Sequence, residues 1–139
     1  MVNSPKKILL ANRSKCFVMY VGMFLQRLGY KVIPAETGTE TLKLLNMFTP
    51  DIVVLDSELA SVDSYTVFRQ IKEEKRTSGI PVIMVLNDDE KKQKYREEGC
   101  KCFISTPVKL SELHEVVEGH SGSKKRKFLR APFKQKISL

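Results

Sequence analysis

Short apolar runs alternate with amphipathic stretches along most of the chain. The clearest run, at 52–55, has four consecutive apolar residues, three of them β-branched, between Asp51 and Asp56. A run that is short and apolar on both faces is typical of a strand buried between two layers. Similar runs lie at 7–10, 30–33, 80–86 and 102–104. The pattern predicts five strands, with the 52–55 strand in the middle of a parallel sheet and Asp56 at its carboxyl end.

A stretch with helical spacing of its apolar residues follows each predicted strand. The first helix is predicted over 15–28, where Ser14 can cap it and Gly29 ends it. The others are predicted from Thr37 to before Pro50, over 62–75, from Asp88 to near Glu98, and from Leu110 to about Glu118. This alternation predicts an α/β fold, a doubly wound parallel sheet of five strands with helices on both faces.

The basic charge of the chain is concentrated at its carboxyl end. Residues 1–120 contain 17 Lys and Arg against 16 Asp and Glu, whereas residues 121–139 contain 7 basic and no acidic side chains. We therefore predict a nearly neutral main domain over 1–118, a Gly- and Ser-containing linker over 119–125 and a basic tail over 126–139. A nucleic-acid-binding face on the main domain is not expected.

Targeting signals and metal or disulfide frameworks are not evident in the sequence. No apolar run approaches the roughly 20 residues of a membrane span, and no signal peptide is recognisable, so we expect a cytoplasmic protein without a membrane span. The odd number of cysteines, Cys16, Cys100 and Cys102, indicates reduced structural thiols. His114 and His120 lack further ligands at a useful spacing, so no metal site is expected there.

Several fragments, taken in order and at their spacing, resemble the receiver domain of bacterial response regulators over roughly 5–118. The first fragments are 7–10, then 28–32 together with Ala35, Gly38 and Leu42, and then 51–56. The later fragments are 80–84, then Gly99 followed by 103–104, and finally Thr106-Pro107. The resemblance implies a flavodoxin-like receiver fold with strand order 2-1-3-4-5. It also implies a role in two-component signal transduction or a phosphorelay, with Asp56 at the phospho-acceptor position.

The groups that the family places around this aspartate are changed. Two acids after the first strand should hold Mg²⁺, and this chain has Asn12 and Arg13 there. A hydroxyl after the fourth strand and a lysine after the fifth are replaced by Leu86 and Thr106. Mg²⁺ requires hard oxygen ligands. Two unit charges about 4 Å apart interact by about 4 kcal/mol at an effective dielectric near 20. We therefore predict that Arg13 repels Mg²⁺ and pairs with Asp56.

The parts that would transmit a phosphorylation signal also depart from the family. Phe103 occupies the position of the switch aromatic without a hydroxyl, and Leu86 cannot form the hydrogen bond that draws this aromatic inward. Ala60 and Ser64 stand where the family usually has Pro and Gly. We predict a non-enzymatic pseudo-receiver that acts by protein contact and regulates an attached output domain, independently of phosphorylation. The alternative is a working phosphorelay receiver that transfers a phosphoryl group onto Asp56.

Partner surfaces are less well specified by the sequence. Receiver domains often bind partners with the fourth helix, fifth strand and fifth helix, and a homodimer is also left open. The lysines and arginine at 91, 92, 94 and 96 are predicted to form a solvated helix face.

The basic tail resembles the opening of a PilZ domain, a family that binds cyclic di-GMP. The resemblance rests on Arg126 and Arg130 in an R-x-x-x-R pattern after a linker and before a strand-like run. It implies that these arginines contact the dinucleotide, but only in a complete carboxyl-terminal domain, so we expect the chain to be a piece of a longer protein. Two other interpretations are a basic arm that binds nucleic acid or acidic lipid, and a tail that packs its apolar residues on the domain or on a second copy.

Overall fold

The computed structural model describes residues 6–121, which form a five-stranded sheet with helices on both faces. The strands are β1 (Lys7–Ala11), β2 (Lys31–Ala35), β3 (Ile52–Asp56), β4 (Val82–Leu86) and β5 (Cys102–Ser105). Every pairing is parallel and the order is β2-β1-β3-β4-β5. The predicted fold class and strand order are confirmed.

Five helices connect or follow the strands: α1 (Lys15–Arg27), α2 (Gly38–Phe48), α3 (Ser64–Glu73), α4 (Asp89–Glu97) and α5 (Leu110–Ser121). Side chains cap several of them, and Ser14 accepts a hydrogen bond from the backbone N–H of Phe17 at the start of α1, as predicted. None of the helices within residues 6–121 is both long and apolar enough to cross a membrane.

Several element ends differ from the sequence prediction by one to three residues, and the carboxyl ends of β2 and α5 differ for identifiable reasons. β2 continues through Pro34 to Ala35, because an edge strand can accept a proline whose missing N–H would face away from its single neighbour. α5 continues three residues beyond the predicted end at Glu118, into the stretch assigned to the linker. Glycine costs a helix only about 1 kcal/mol relative to alanine, so Gly119 does not end α5.

The sheet separates two apolar clusters. α1 and α5 cover one face, where residues such as Leu25 and Leu113 are fully buried against β1, β3 and β4. α2, α3 and α4 cover the other face, which contains Phe68 and Leu86. Because both faces are covered, β3 and β4 are buried at every position, which explains why they read as continuous apolar runs.

A close approach between α2 and the segment after β3 fixes the surroundings of the sheet's carboxyl edge. The N–H of Gly38 donates to the carbonyl of Ala60 at 2.9 Å. A Cβ at position 38 would lie 1.7 Å from the carbonyl oxygen of Val62, so only glycine fits without a shift of the backbone. This contact holds the segment that follows Asp56 against the start of α2.

Candidate functional site

Asp56 is the last residue of β3, and its side chain lies at the carboxyl edge of the sheet beside the end of β1. The residue is 4% exposed, which is low for a carboxylate. Ligand sites of open α/β sheets collect at this edge. The geometry therefore places Asp56 where the sequence predicted, at the centre of the candidate site.

Two backbone N–H groups hold the carboxylate of Asp56. Arg13 N donates to Oδ2 at 2.9 Å, and Glu58 N donates to Oδ1, also at 2.9 Å. Hydrogen bonds to an ionised acceptor are roughly twice as strong as neutral ones. Both carboxylate oxygens are thus engaged by the loops that follow β1 and β3.

The predicted ion pair between Arg13 and Asp56 is present. Arg13 Nε lies 3.7 Å from Asp56 Oδ2, and Arg13 Nη1 lies 4.0 Å from Glu58 Oε1. The Arg13 side chain is 56% exposed, so water screens much of this attraction. The guanidinium forms part of the outer wall of the site and does not fill its interior.

Glu58 and Lys91 are site residues that the sequence analysis missed. Lys91 Nζ, in the first turns of α4, forms an ion pair with Glu58 Oε2. Glu58 therefore contacts a cation from the loop after β1 and another from α4. Lys91 was predicted to belong to a solvated helix face; its side chain is 39% exposed, and this ion pair is a contact that the prediction did not include. The one feature of the sequence that could have predicted this contact was the position of Lys91 near the start of a helix that begins at the carboxyl edge of the sheet.

The residues at the edge do not fit a Mg²⁺ ion of the kind that the receiver fold implies. Asn12 is buried, and its Oδ1 already accepts a hydrogen bond from Ser14 N at 2.9 Å. Asp56 and Glu58 are the two nearby carboxylates, and both are paired with the cation of Arg13. Within residues 6–121, no group of three or more His, Cys, Asp or Glu could hold a metal ion.

The other two changed positions supply neither a hydroxyl nor a cation to the aspartate. Leu86, at the end of β4, is 3% exposed and packs in the apolar cluster beneath α2, α3 and α4. Thr106 is exposed, and its N–H donates to the carbonyl of Leu86 at 3.1 Å. The carboxyl end of β4 is therefore apolar where the family has a polar group.

Phe103 is half-buried on β5 and is held by the cations of α4. Lys92 Nζ and the guanidinium carbon of Arg96 each lie 5.5 Å from the centroid of its ring. Cation–π contacts of this kind contribute about 0.5–1 kcal/mol at exposed sites. Lys92 and Arg96 of α4 therefore contact the ring of Phe103, so this side of α4 is not purely solvated.

Ser64 orders the loop after Asp56. It is buried, donates from Oγ to the carbonyl oxygen of Asp56 at 2.5 Å, and accepts from Leu59 N at 3.0 Å. A serine in place of the usual glycine thereby ties the start of α3 to the end of β3. The arginines proposed to bind cyclic di-GMP, Arg126 and Arg130, lie outside the described residues.

Comparisons with known proteins agree with this architecture. The family model of the response regulator receiver domain matches residues 8–118. The polar-differentiation response regulator DivK of Brucella anthropi is 25% identical over 122 residues, which cover 85% of this chain and 98% of that protein.

Two solved structures with the same fold are each less than 25% identical to this chain. A response regulator from Chloroflexus aurantiacus superposes with a TM-score of 0.79 at 24% identity, covering 84% of this chain and 97% of that one. The receiver domain of the sensor histidine kinase PA1611 from Pseudomonas aeruginosa, which has a magnesium ion coordinated in its active-site cleft, gives a TM-score of 0.77 at 21% identity, covering 86% of this chain and 99% of that one. The family match over residues 8–118 means that this chain belongs to the response regulator receiver domains.

Proposed function

We propose that this receiver domain signals through protein contacts without Mg²⁺-dependent phosphorylation of Asp56. It would regulate an output domain attached to it and have no enzymatic activity of its own. The observation that carries the proposal is the position of the Arg13 guanidinium, 3.7 Å from the Asp56 carboxylate, in the place where a metal-binding acid is expected.

The charge arrangement supports this proposal in two ways. A divalent cation beside Asp56 would lie near the positive charge of Arg13, and at about 4 Å their repulsion costs about 2 kcal/mol even where water screens it as fully as in bulk. Leu86 and Thr106 also leave a bound phosphoryl group without the hydroxyl and lysine that the family uses. Asp56 is better suited to anchoring the loop after β1 than to nucleophilic attack.

An exposed apolar stripe on α1 supports the part of the proposal that concerns protein contacts. Met19, Tyr20 and Met23 are 61%, 65% and 56% exposed, and their spacing places them on one side of the helix. Scattered apolar side chains are ordinary on surfaces, whereas three on one helix face favour a protein interface. A homodimer through this face would weaken measurably in Tyr20→Arg by analytical ultracentrifugation, with Met47→Arg on α2 as the matched control.

A working phospho-acceptor is the second candidate, and the Lys91–Glu58 ion pair favours it. Lys91 brings a cation toward the site from α4, and Arg13 supplies another. Together they could neutralise phosphoryl oxygens in place of a metal. This candidate predicts labelling of Asp56 that is insensitive to chelation of divalent ions.

A phosphodonor assay separates the two candidates. The chain is incubated with radiolabelled acetyl phosphate, with Mg²⁺ or with EDTA, and Asp56→Asn reports labelling elsewhere. A variant with Asn12→Asp, Arg13→Asp, Leu86→Thr and Thr106→Lys serves as the positive control. We expect label on the restored variant with Mg²⁺ and none on the wild type. Asp56-dependent labelling of the wild type with Mg²⁺ would overturn the proposal, and labelling with EDTA would support the second candidate.

Cyclic di-GMP binding through Arg126 and Arg130 is a separate part of the proposal. It rests on their R-x-x-x-R spacing and on the forked geometry of guanidinium groups, which suits phosphate and guanine edges. Calorimetric titration of cyclic di-GMP into a chain extended past residue 139 should show binding that Arg126→Ala and Arg130→Ala abolish. Binding that neither variant weakens would refute this part.

Nucleic-acid binding by the basic tail is the alternative from another class. It predicts DNA binding by the 139-residue chain that falls steeply and linearly on a logarithmic salt scale, because phosphate contacts release counterions. No measurable binding at low salt would exclude it.

A further inference from the structure

A cleft of about 310 Å³ opens at the edge of the sheet opposite to Asp56. The amino ends of β4 and β5 and the last turn of α5 border it, through Val82, Cys102 and His120. The receiver chemistry at Asp56 does not use this cleft. Its lining nevertheless contains thiol, imidazole and ammonium groups.

A cysteine and a histidine are hydrogen-bonded in this cleft. Cys102 Sγ, half-buried on β5, lies 2.9 Å from His120 Nε2, on the last turn of α5. Burial raises the pKa of the Cys102 thiol, so the sulfur holds its proton at neutral pH. A thiolate, not a thiol, is the nucleophile in exchange reactions. The imidazole is therefore positioned to remove the proton that burial would otherwise keep on the sulfur.

Two lysines line the same cleft and give it a positive charge. Lys72 Nζ, at the end of α3, donates to the carbonyls of Ser78 and Ile80 at 3.3 Å each. Lys101 precedes Cys102 in the chain. Burial and the charge of Lys101 lower the pKa of Lys72. No acidic side chain occurs among the described lining residues, so an anionic group would relieve the repulsion between the lysines.

We propose that Cys102 is a covalent modification site that exchanges with small acidic disulfides such as glutathione disulfide. His120 Nε2 takes the thiol proton, and the Cys102 sulfur attacks one sulfur of the disulfide. The S–S bond of the small molecule breaks as the new S–S bond to Cys102 forms. The other half leaves as a thiolate and takes up the proton from His120. The exchange consumes one disulfide and creates one, so no further oxidant is needed.

The other two cysteines provide internal controls. Cys16 is exposed on α1. Cys100 is 3% exposed, its thiol contacts the carbonyls of Val82 and Cys102, and burial raises its pKa. Exposure alone predicts that Cys16 reacts first, whereas the proposal predicts that Cys102 does. For Cys102 the proposal departs from the prediction that the cysteines are reduced structural residues.

The test is a residue-by-residue measurement of exchange rates on the full chain. Glutathione disulfide is added at neutral pH, and peptide mass spectrometry follows each of the three cysteines. We expect Cys102 to react at least about tenfold faster than Cys16, since a positioned base contributes about 10²- to 10⁴-fold and half-burial offsets part of this. His120→Ala should slow Cys102 by about tenfold or more and leave Cys16 unchanged. Equal rates for Cys16 and Cys102, or no effect of His120→Ala, would overturn the proposal.

Charge selectivity tests the role of the lysines separately. Dithiodipropionate, an aliphatic disulfide with two carboxylates, should react with Cys102 faster than cystamine, an aliphatic disulfide with two ammonium groups, when each rate is divided by the rate of the same reagent with Cys16. Lys101→Gln should narrow this preference for the acidic disulfide about threefold, a small effect because Lys101 is exposed and water screens its charge. Lys75→Gln, outside the cleft, is the matched control. Unchanged selectivity in Lys101→Gln, or a preference for cystamine, would refute the assignment of an acidic disulfide.

Discussion

Replacing Arg13 by alanine and Asp56 by asparagine, singly and together, measures how strongly the guanidinium holds the carboxylate. At their 3.7 Å separation, two unit charges attract by about 4–5 kcal/mol at a dielectric of 20 but by only about 1 kcal/mol in water. The Arg13 side chain is 56% exposed, so the lower value applies. We expect a coupling free energy of about 0.5–1 kcal/mol, near the upper end for exposed pairs.

Asp56→Asn alone should lower the free energy of unfolding by more than this coupling free energy. The aspartate accepts backbone N–H groups on both oxygens, and net contributions of hydrogen bonds to a charged group are about 1.5–3 kcal/mol each. Asparagine offers one carbonyl oxygen, so one N–H loses its partner. The single variant therefore reports mainly on the backbone contacts, and the double-mutant cycle isolates the contribution of the guanidinium.

Urea unfolding at equilibrium provides the four free energies of the cycle. The measurements are made at about 0.1 M and about 1 M salt, because the Debye length shortens from about 10 Å to about 3 Å and should reduce the coupling. A parallel cycle with Lys15→Ala, an exposed cation at the start of α1, is the control and should give no coupling. A coupling within error of zero at low salt, or one of repulsive sign, would refute the assignment of an Arg13–Asp56 pair.

Three further predictions concern the loops that shape the site. Gly38→Ala should lower the free energy of unfolding by about 1–3 kcal/mol or more, because the alanine Cβ would lie 1.7 Å from Val62 O. A decrease of less than about 0.5 kcal/mol, measured by urea unfolding, would contradict this close approach. Ser64→Ala removes a buried hydroxyl that both donates and accepts a hydrogen bond, and should lower the free energy of unfolding by about 1–3 kcal/mol in the same assay. An unchanged free energy of unfolding would contradict this role of Ser64. Asp63 caps α3 by accepting a hydrogen bond from Thr66 N, and hydrogen bonds from the side chain and the backbone of Thr66 lower the pKa of Asp63 from 3.8. Its stabilisation is therefore present above about pH 4 and lost as pH falls through the lowered pKa. The difference between wild type and Asp63→Ala, about 0.5–2 kcal/mol at neutral pH, should shrink on acidification, and a difference independent of pH would contradict the capping role.

The fold could be predicted from the sequence because the patterns that indicate strands and helices are local or periodic. Continuous apolar runs indicated buried parallel strands, and capping residues such as Ser14 indicated helix starts. The contact of Arg13 with Asp56 was also predictable. Arg13 lies two residues after the end of β1 and Asp56 ends the neighbouring parallel strand β3, so their side chains meet at one edge of the sheet.

Contacts that depend on how a helix lies over the sheet were not predictable. The Glu58–Lys91 ion pair depends on the placement of α4, which the helical periodicity of a strongly polar segment does not specify. The contact of Cys102 with His120 depends on the continuation of α5 past Gly119, where sequence composition indicated a linker. In both cases the residue types were visible, but the distance between them followed from tertiary packing.

The backbone amides of Arg13 and Glu58 report most directly on the central claim, that Asp56 is held by the protein and does not take up Mg²⁺ and a phosphoryl group. Both amides donate to the Asp56 carboxylate, so their NMR resonances should respond to any ion or group that binds it. The chain is titrated with Mg²⁺ and then with beryllium fluoride, a mimic of the phosphoryl group. We predict that both resonances stay unchanged in the wild type and shift in the variant with restored acids at Asn12 and Arg13. Saturable Mg²⁺-dependent shifts of both amides in the wild type would contradict the account.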